Sequence, residues 1–169
     1  MANTYTKIAS VTVGSGGAGS IDFSSIPATY TDLVVKISAR SVTNGVNNLY
    51  WKINATTTNY SDRWIRGNGA NAASATGTTT NFSVPLIDAN DDTASTFGNA
   101  EIYIPNYAGS TNKSTNVDSV TENNGTTAYT HLTAGLWSNS SAITALSFYA
   151  SSGNLAQYST ATLYGIKNS

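Results

Sequence analysis

Cysteine is absent from the 169 residues of this chain, which excludes disulfide bonds and thiolate metal sites. The fold must therefore depend on side-chain packing and backbone hydrogen bonds, and a reducing compartment suits it. A chain of this length buries roughly 70% of the surface that its unfolded form exposes. That burial is enough for a core without covalent crosslinks.

Charge is scarce too. Asp, Glu, Lys and Arg make up 10% of the residues and the formal net charge is -1, whereas an average globular protein has about 25% charged residues. Nucleic acids and anionic membranes attract proteins through positive charge, so neither partner is expected. The surface is expected to carry mainly neutral Ser, Thr and Asn side chains, which do not guard against association by charge repulsion.

Long apolar runs are also missing. No stretch approaches the roughly 18 apolar residues of a membrane-spanning helix, and residues 1–10 lack the apolar run of a signal peptide. We therefore expect synthesis in the cytoplasm without export by a signal peptide. What the chain does contain is 40% hydrophobic residues, including ten Tyr, three Trp and four Phe, and this composition predicts a folded protein.

Apolar and polar residues alternate along most of the chain, and no window keeps helical spacing for more than a turn. The clearest strand is predicted over residues 32–40, with an inward face of Leu33, Val35, Ile37 and Ala39. Residues 48–54 repeat the pattern. The turn sequence Asn44-Gly45 lies between these two segments, so we expect the two strands to pair with each other.

Nine further strands are predicted, over residues 5–13, 20–23, 63–66, 82–87, 99–104, 117–120, 127–137, 143–149 and 160–166. Polar segments separate them, and the longest, residues 67–81, is expected to be a flexible surface loop. So many short strands exceed one open sheet, which predicts an all-β, antiparallel, jelly-roll-like sandwich as a single domain over residues 1–169. Residues 1–5 are either a docking arm or a frayed end, which is the commoner case.

Residue types of catalytic sites are few. His131 is the sole histidine, and the sequence places no acid or nucleophile beside it, so a structural role is expected. Glu101 shares a predicted strand face with Tyr103, which is typical of a solvated position. A glycosidase built from Glu101 and an aspartate is a minor alternative. We therefore expect no catalytic residues and no enzyme activity.

One short acidic segment, residues 88–92, resembles the first half of a calcium-binding loop. The pattern then fails, because Thr93 stands in place of the required glycine and Asn99 in place of the bidentate glutamate. A turn rich in Asp and Asn explains the segment better. We expect no metal site, and no motif indicates a cofactor.

Tyrosine and tryptophan are the remaining candidates for function, since sugar-binding faces and protein interfaces use them when they are exposed. Trp51 and Phe148 fall on inward strand positions and are expected in the core. Five others fit the core and a contact surface equally well, namely Tyr50, Trp64, Tyr103, Tyr107 and Tyr164. From these we select Trp64, Tyr103 and Tyr107 as candidate contacts with a partner or glycan.

Three segments carry a resemblance to a known group of proteins. They are FSSIPATYTDLVVKISAR at residues 23–40, IYIPNY at residues 102–107 and STATLYGI at residues 159–166. Together they resemble small virion proteins of tailed bacteriophages, especially phages of cyanobacteria and other aquatic bacteria. The segments are spread over nearly the whole chain, so the resemblance is to a full-length protein.

The resemblance implies a non-enzymatic, jelly-roll-like component of the phage particle. The first hypothesis is a capsid decoration (cement) protein that is made in the bacterial cytoplasm, joins the virion and bridges copies of the major capsid protein or other virion proteins. A homotrimer is expected from the symmetry of such particles. The alternative is an adhesive module of a fibre or tail, in which Tyr and Trp stack on sugars and Asn and Thr bind their hydroxyls.

Overall fold

A computed structural model describes residues 5–125 and 128–167, apart from the side chains of residues 78, 84 and 85. The proposed arm at residues 1–5 lies outside the described residues except for Tyr5, as does the predicted strand start at residue 127. The described residues form strands, and among them is no helix long and apolar enough to span a membrane. The strands are β1 (Tyr5–Thr12), β2 (Ile21–Phe23), β3 (Asp32–Ala39), β4 (Asn47–Ile53), β5 (Tyr60–Gly67), β6 (Ala72–Thr79), β7 (Phe82–Ile87), β8 (Gly98–Ile104), β9 (Lys113–Thr121), β10 (Tyr129–Trp137), β11 (Leu146–Ala150) and β12 (Thr160–Ile166).

These strands form two sheets that pack face to face. The large sheet has eight strands in the order β1-β12-β3-β8-β9-β10-β5-β6, and the small sheet has four in the order β2-β11-β4-β7. Neighbouring strands within each sheet pair in the antiparallel direction. The prediction of an all-β antiparallel sandwich is confirmed.

The strand order is that of an enlarged jelly roll. A jelly roll has strands B to I in chain order, arranged as sheets B-I-D-G and C-H-E-F. Here β2, β11, β4 and β7 take the places of B, I, D and G, while β3, β5 and β6 take those of C, E and F. The meander β8–β10 stands in the place of H. Because β8–β10 are three antiparallel strands, the chain leaves β10 in the same direction in which it would leave a single strand H. β11 can therefore return to the small sheet as strand I does in a jelly roll.

Apolar residues at alternate strand positions fill the space between the sheets. On β3 the predicted inward residues are at most 5% exposed. In the small sheet the ring of Trp51 lies 4.5 Å from that of Phe82 and stacks on Phe148 at 6.1 Å. From the large sheet, Tyr60 packs edge-on against Phe82 at 4.8 Å. The expectation that Trp51 and Phe148 belong to the core is confirmed.

The predicted pairing of residues 32–40 with residues 48–54 is wrong. β3 pairs with β12 and β8 in the large sheet, whereas β4 lies between β11 and β7 in the small sheet. The Asn44-Gly45 turn exists, with Gly45 at a φ of 79°, but it lies in a connection between the two sheets. Alternation identifies a strand and its inward face, but it does not identify the strand's partners.

The predicted flexible loop at residues 67–81 is also wrong, because most of it is β6. This strand pairs with β5 along its whole length, from Tyr60 opposite Thr79 to Gly67 opposite Ala72. Its described side chains are nearly all exposed on both faces, so the strand has no buried face and its sequence shows no apolar alternation. The small sheet does not cover this end of the large sheet. We call residues 61–67 together with β6 the overhang.

A close approach at Gly165 gives a test of this packing. A Cβ atom added there would overlap the ring of Tyr30, near its rigid base. We expect Gly165→Ala to lower the free energy of unfolding by about 2 kcal/mol, because the ring cannot move without losing its packing. The measurement is urea denaturation, with Gly14→Ala as control, since a Cβ at Gly14 meets nothing within 4 Å. Equal stability of the two variants would contradict this packing.

Candidate functional site

His131 lies on the inward face of β10 and is 2% exposed. Its ring centroid is 5.8 Å from those of Trp64 and Tyr129. Burial, with a smaller contribution from the charge of Arg66, lowers the pKa of His131 to about 4. No described residue accepts or donates a hydrogen bond at its Nε2. The imidazole therefore packs among aromatic rings, and no described acid or nucleophile is hydrogen-bonded to it.

The acidic segment at residues 88–92 belongs to a loop organised around the guanidinium of Arg40. Its terminal nitrogens donate to four loop carbonyls at 2.9–3.3 Å, those of Asn90, Asp92, Thr93 and Thr96. Carbonyl oxygens of the kind that calcium uses thus already bind a cation from the chain itself. Among the described residues, no group of three or more His, Asp or Glu is placed to hold a metal.

Lys113 plays a similar part in the loop before β9. Its side chain is 0% exposed, and its Nζ donates to the carbonyl of Gly109 at 2.7 Å and to that of Thr111. Burial lowers the pKa of this amine. In both loops, a buried cation satisfies backbone oxygens, which is a structural task.

Glu101 is exposed on the outer face of the large sheet. Its carboxylate lies 2.8 Å from the Nζ of Lys36, and this hydrogen bond and charge raise the pKa of Lys36. The neighbouring position on β9 is Asp118, which is also exposed. Both partners of the ion pair are solvent-exposed, so the pair contributes little to stability.

The structure places the three selected aromatic residues in different environments. Tyr107 is 0% exposed, and its hydroxyl donates to the carbonyl of Pro27, so it belongs to the core and is corrected as a surface candidate. Tyr103 is half-buried on the outer face of the large sheet, where its hydroxyl donates to Asp32 at 2.9 Å. Trp64 is half-buried on the inner face. Tyr103 and Trp64 therefore cannot contribute to one site.

Aromatic rings surround a cation on the inner face of the overhang. The guanidinium carbon of Arg66 lies 5.1 Å from the ring centroid of Trp64 and 4.8 Å from that of Tyr129. Such cation–π contacts contribute about 0.5–1 kcal/mol each at exposed positions. Trp64 is thus held between Arg66 and the edge of the buried imidazole of His131.

A cleft lies beside this cluster, where the overhang meets the free edge of the small sheet. The lining residues are Asp62, Trp64 and Gly77 of β5 and β6 and Ser83 of the edge strand β7. Asn48 and Tyr50 of the neighbouring strand β4 also line it, from the outer face of the small sheet. Its volume is about 610 Å³, within the range of about 300–1,000 Å³ for ligand pockets. The remaining walls come from hydroxyl and amide side chains of residues 76–83.

Asp62 is the charged side chain of this cleft. It is 6% exposed, yet no described residue donates a hydrogen bond to it. Burial raises the pKa of its carboxyl, and no neighbouring charge or donor opposes the shift. The opposite residue on β6 is Gly77, where a Cβ would lie 2.9 Å from Oδ1. Because Gly77 has no side chain, the space beside it is open to the carboxylate of Asp62.

The outer face of the large sheet carries a second feature, an exposed apolar group of Ile65, Leu132 and Leu136. Their exposed fractions are 59%, 51% and 36%, and Ile65 is the cross-strand partner of Leu132. We call these three residues the outer patch. Asp118 and Arg63 lie on the strands either side of β10 and supply charges of opposite sign. Contiguous apolar patches rimmed by polar residues are typical of interaction surfaces, so the outer patch is a candidate contact surface.

The sequence pattern does not reveal Asp62, because the strand that it predicts at residues 63–66 starts too late. The true strand begins at Tyr60, so the inward positions are Tyr60, Asp62, Trp64 and Arg66. An inward aspartate between two aromatic residues would have been a signal, but it appears only once the strand boundary is known. Tyr50 and Trp64, two of the aromatic residues that the sequence does not assign to core or surface, both line the cleft.

No family model matches the chain, and neither the curated proteins nor the solved structures include a match to it.

The loop around Arg40 can be tested by changing the shape of its cation. We expect Arg40→Lys to lower the free energy of unfolding by about 3 kcal/mol, because one ammonium cannot reach carbonyls that a planar fork reaches. Urea denaturation measures the loss. Arg63→Lys is the matched control, since Arg63 is exposed and should change stability by no more than about 0.5 kcal/mol. A similar small change for both would argue against the Arg40 contacts.

The buried imidazole predicts a dependence on pH. The folded state keeps His131 neutral down to a pKa of about 4, whereas an unfolded histidine gains a proton below about 6.5. Stability should therefore fall as the pH drops from about 6.5 to about 4, by roughly 2–3 kcal/mol.

The measurement is the difference in urea stability between the wild type and His131→Gln across this range. Carboxylates titrate alike in both proteins, so their contributions cancel. Parallel curves for the two proteins would show that His131 is not buried in its neutral form.

Proposed function

We propose that this chain is a non-enzymatic structural protein of a bacteriophage particle that decorates the capsid and bridges its subunits. The observation that carries the proposal is the outer patch, which lies on the broad outer face of an eight-stranded sheet. Exposed apolar side chains on neighbouring strands are the means by which a nearly uncharged protein can bind another protein.

The segments that resemble phage virion proteins support this proposal by their position. Residues 23–40, 102–107 and 159–166 contribute to β3, β8 and β12, which are adjacent strands of the large sheet. They also meet beyond the strands, since Asp32 accepts a hydrogen bond from the amide of Asn106 at 2.9 Å. The likeness thus concerns one packed block of the large sheet, as expected for a structural protein.

Attachment by the outer patch would depend on apolar burial. Removing apolar surface from water contributes about 25 cal/mol per Å², whereas exposed ion pairs contribute only about 0–1 kcal/mol each. The bond to the capsid should therefore change little with salt. Many copies on a symmetric shell add their modest contacts through multivalency. We propose trimers at three-fold positions, assembled after synthesis in the bacterial cytoplasm.

Adhesion to a host carbohydrate, at a fibre or tail, is the second candidate. The observation that favours it is the cleft of Asp62, Trp64 and Tyr50, which combines aromatic rings with a buried acceptor. Aromatic faces stack on the apolar side of sugar rings, and polar side chains bind the hydroxyls.

Leu132→Ser tests the outer patch as the attachment surface. We expect at least about a tenfold loss of affinity for particles that lack the protein, since a buried leucine contributes on the order of 1.5 kcal/mol or more. Co-sedimentation with the particles measures binding. Val46→Ser is the control, because Val46 is 72% exposed but lies outside the patch.

Cryo-electron microscopy of the reconstituted particles shows where the protein binds. Density repeated across the shell is expected, and density confined to the tail or a fibre would contradict decoration. Full binding by Leu132→Ser, or release of the wild type by about 0.5 M NaCl, would contradict attachment through the outer patch.

A further inference from the structure

The cleft beside the overhang contains an acceptor that the fold does not use. Asp62 is more than nine-tenths buried and lines the cleft, and no described residue donates to it. Buried carboxylates are normally paired, because removing a charged oxygen from water without a donor is costly. A ligand that brings hydrogen-bond donors to this carboxylate would compensate for that cost.

The rest of the cleft indicates what kind of ligand this is. Trp64 and Tyr50 both line it with half-buried aromatic side chains. Asn48 accepts from the amide of Leu86 at 3.1 Å through Oδ1, which leaves its Nδ2 hydrogens as donors without a partner among the described residues. The cleft thus combines apolar rings, neutral amide groups and one strong acceptor.

We propose that this cleft binds a neutral hexopyranose, with Asp62 accepting hydrogen bonds from two adjacent hydroxyl groups. A sugar ring has an apolar face for an aromatic side chain and a rim of hydroxyls for the carboxylate and the amides. Bonds from hydroxyl groups to an ionised carboxylate are short and about twice as strong as those between neutral groups. The inference rests on the adhesive candidate function and is independent of capsid attachment.

Charge in the cleft disfavours an anionic ligand, because an anion would be repelled by the carboxylate of Asp62. A neutral polyol is not repelled, and its hydroxyls can both donate to Asp62 and accept from Asn48.

The site also lies away from the outer patch. Asp62 and Trp64 are on the inner face of β5, whereas Ile65 is on its outer face. A protein bound to a capsid by the outer patch would therefore keep a separate surface for the sugar. One particle component could then carry both attachment and host recognition.

The experiment is saturation-transfer NMR and calorimetry of the purified chain with methyl glycosides of glucose, galactose and mannose. We expect at least one sugar to bind in about the millimolar range, as single sugars with few contacts do. Asp62→Asn should weaken that binding at least about tenfold, because the ionised acceptor is lost. Its unfolding temperature should stay equal or rise, since an unpaired buried charge is removed.

Matched variants on the outer face separate this site from a general effect. Asp118→Asn removes an exposed carboxylate and Tyr103→Ala removes a half-buried ring, and both should keep wild-type affinity for the sugar. Trp64→Ala should lose it.

Two results would overturn the proposal in distinguishable ways. Sugar binding that survives Asp62→Asn would move the site elsewhere and leave the adhesive function standing. No binding of any neutral sugar, or binding of methylamine instead, would remove both the site and the adhesive function while leaving capsid attachment to its own test.

Discussion

The aromatic contact between the two sheets is the constraint on which the rest of this structure depends. Phe82 of the small sheet, which contacts Trp51, packs against Tyr60 of the large sheet. The hydroxyl of Tyr60 accepts from the amide of Ile53 of the small sheet at 2.9 Å. This contact fixes the small sheet over one part of the large sheet. The strand β5 is therefore covered at Tyr60 and uncovered two inward positions later.

The proposed sugar site follows directly from that boundary. Asp62 is the next inward residue after Tyr60, deep enough to be buried but beyond the reach of donors from the small sheet. Trp64 and Arg66 continue along the same face, where the protein no longer covers them fully. Because the small sheet has four strands and the large sheet eight, burial decreases along β5 where the small sheet ends. The cleft lies at this boundary.

Scarcity of charge shapes both surfaces. The two buried basic side chains, Arg40 and Lys113, satisfy loop carbonyls, whereas the ion pair between Lys36 and Glu101 is exposed. The proposed recognition therefore depends on apolar area and on a few hydrogen bonds, of which those to Asp62 are the strongest. The outer patch supplies the first and the cleft supplies the second, on opposite faces of the large sheet.

By itself, the sequence determined the fold class and the inward faces of strands such as β3, because alternation at period two is a local property and burial follows it. It also determined that Trp51 and Phe148 are core residues. Only the tertiary structure decided that β3 and β4 lie in different sheets and that residues 72–79 form a strand. It alone decided that Tyr107 is buried while Asp62 lines a cleft. Strand partners and the extent of coverage depend on contacts between residues far apart in the chain, and no local pattern carries that information.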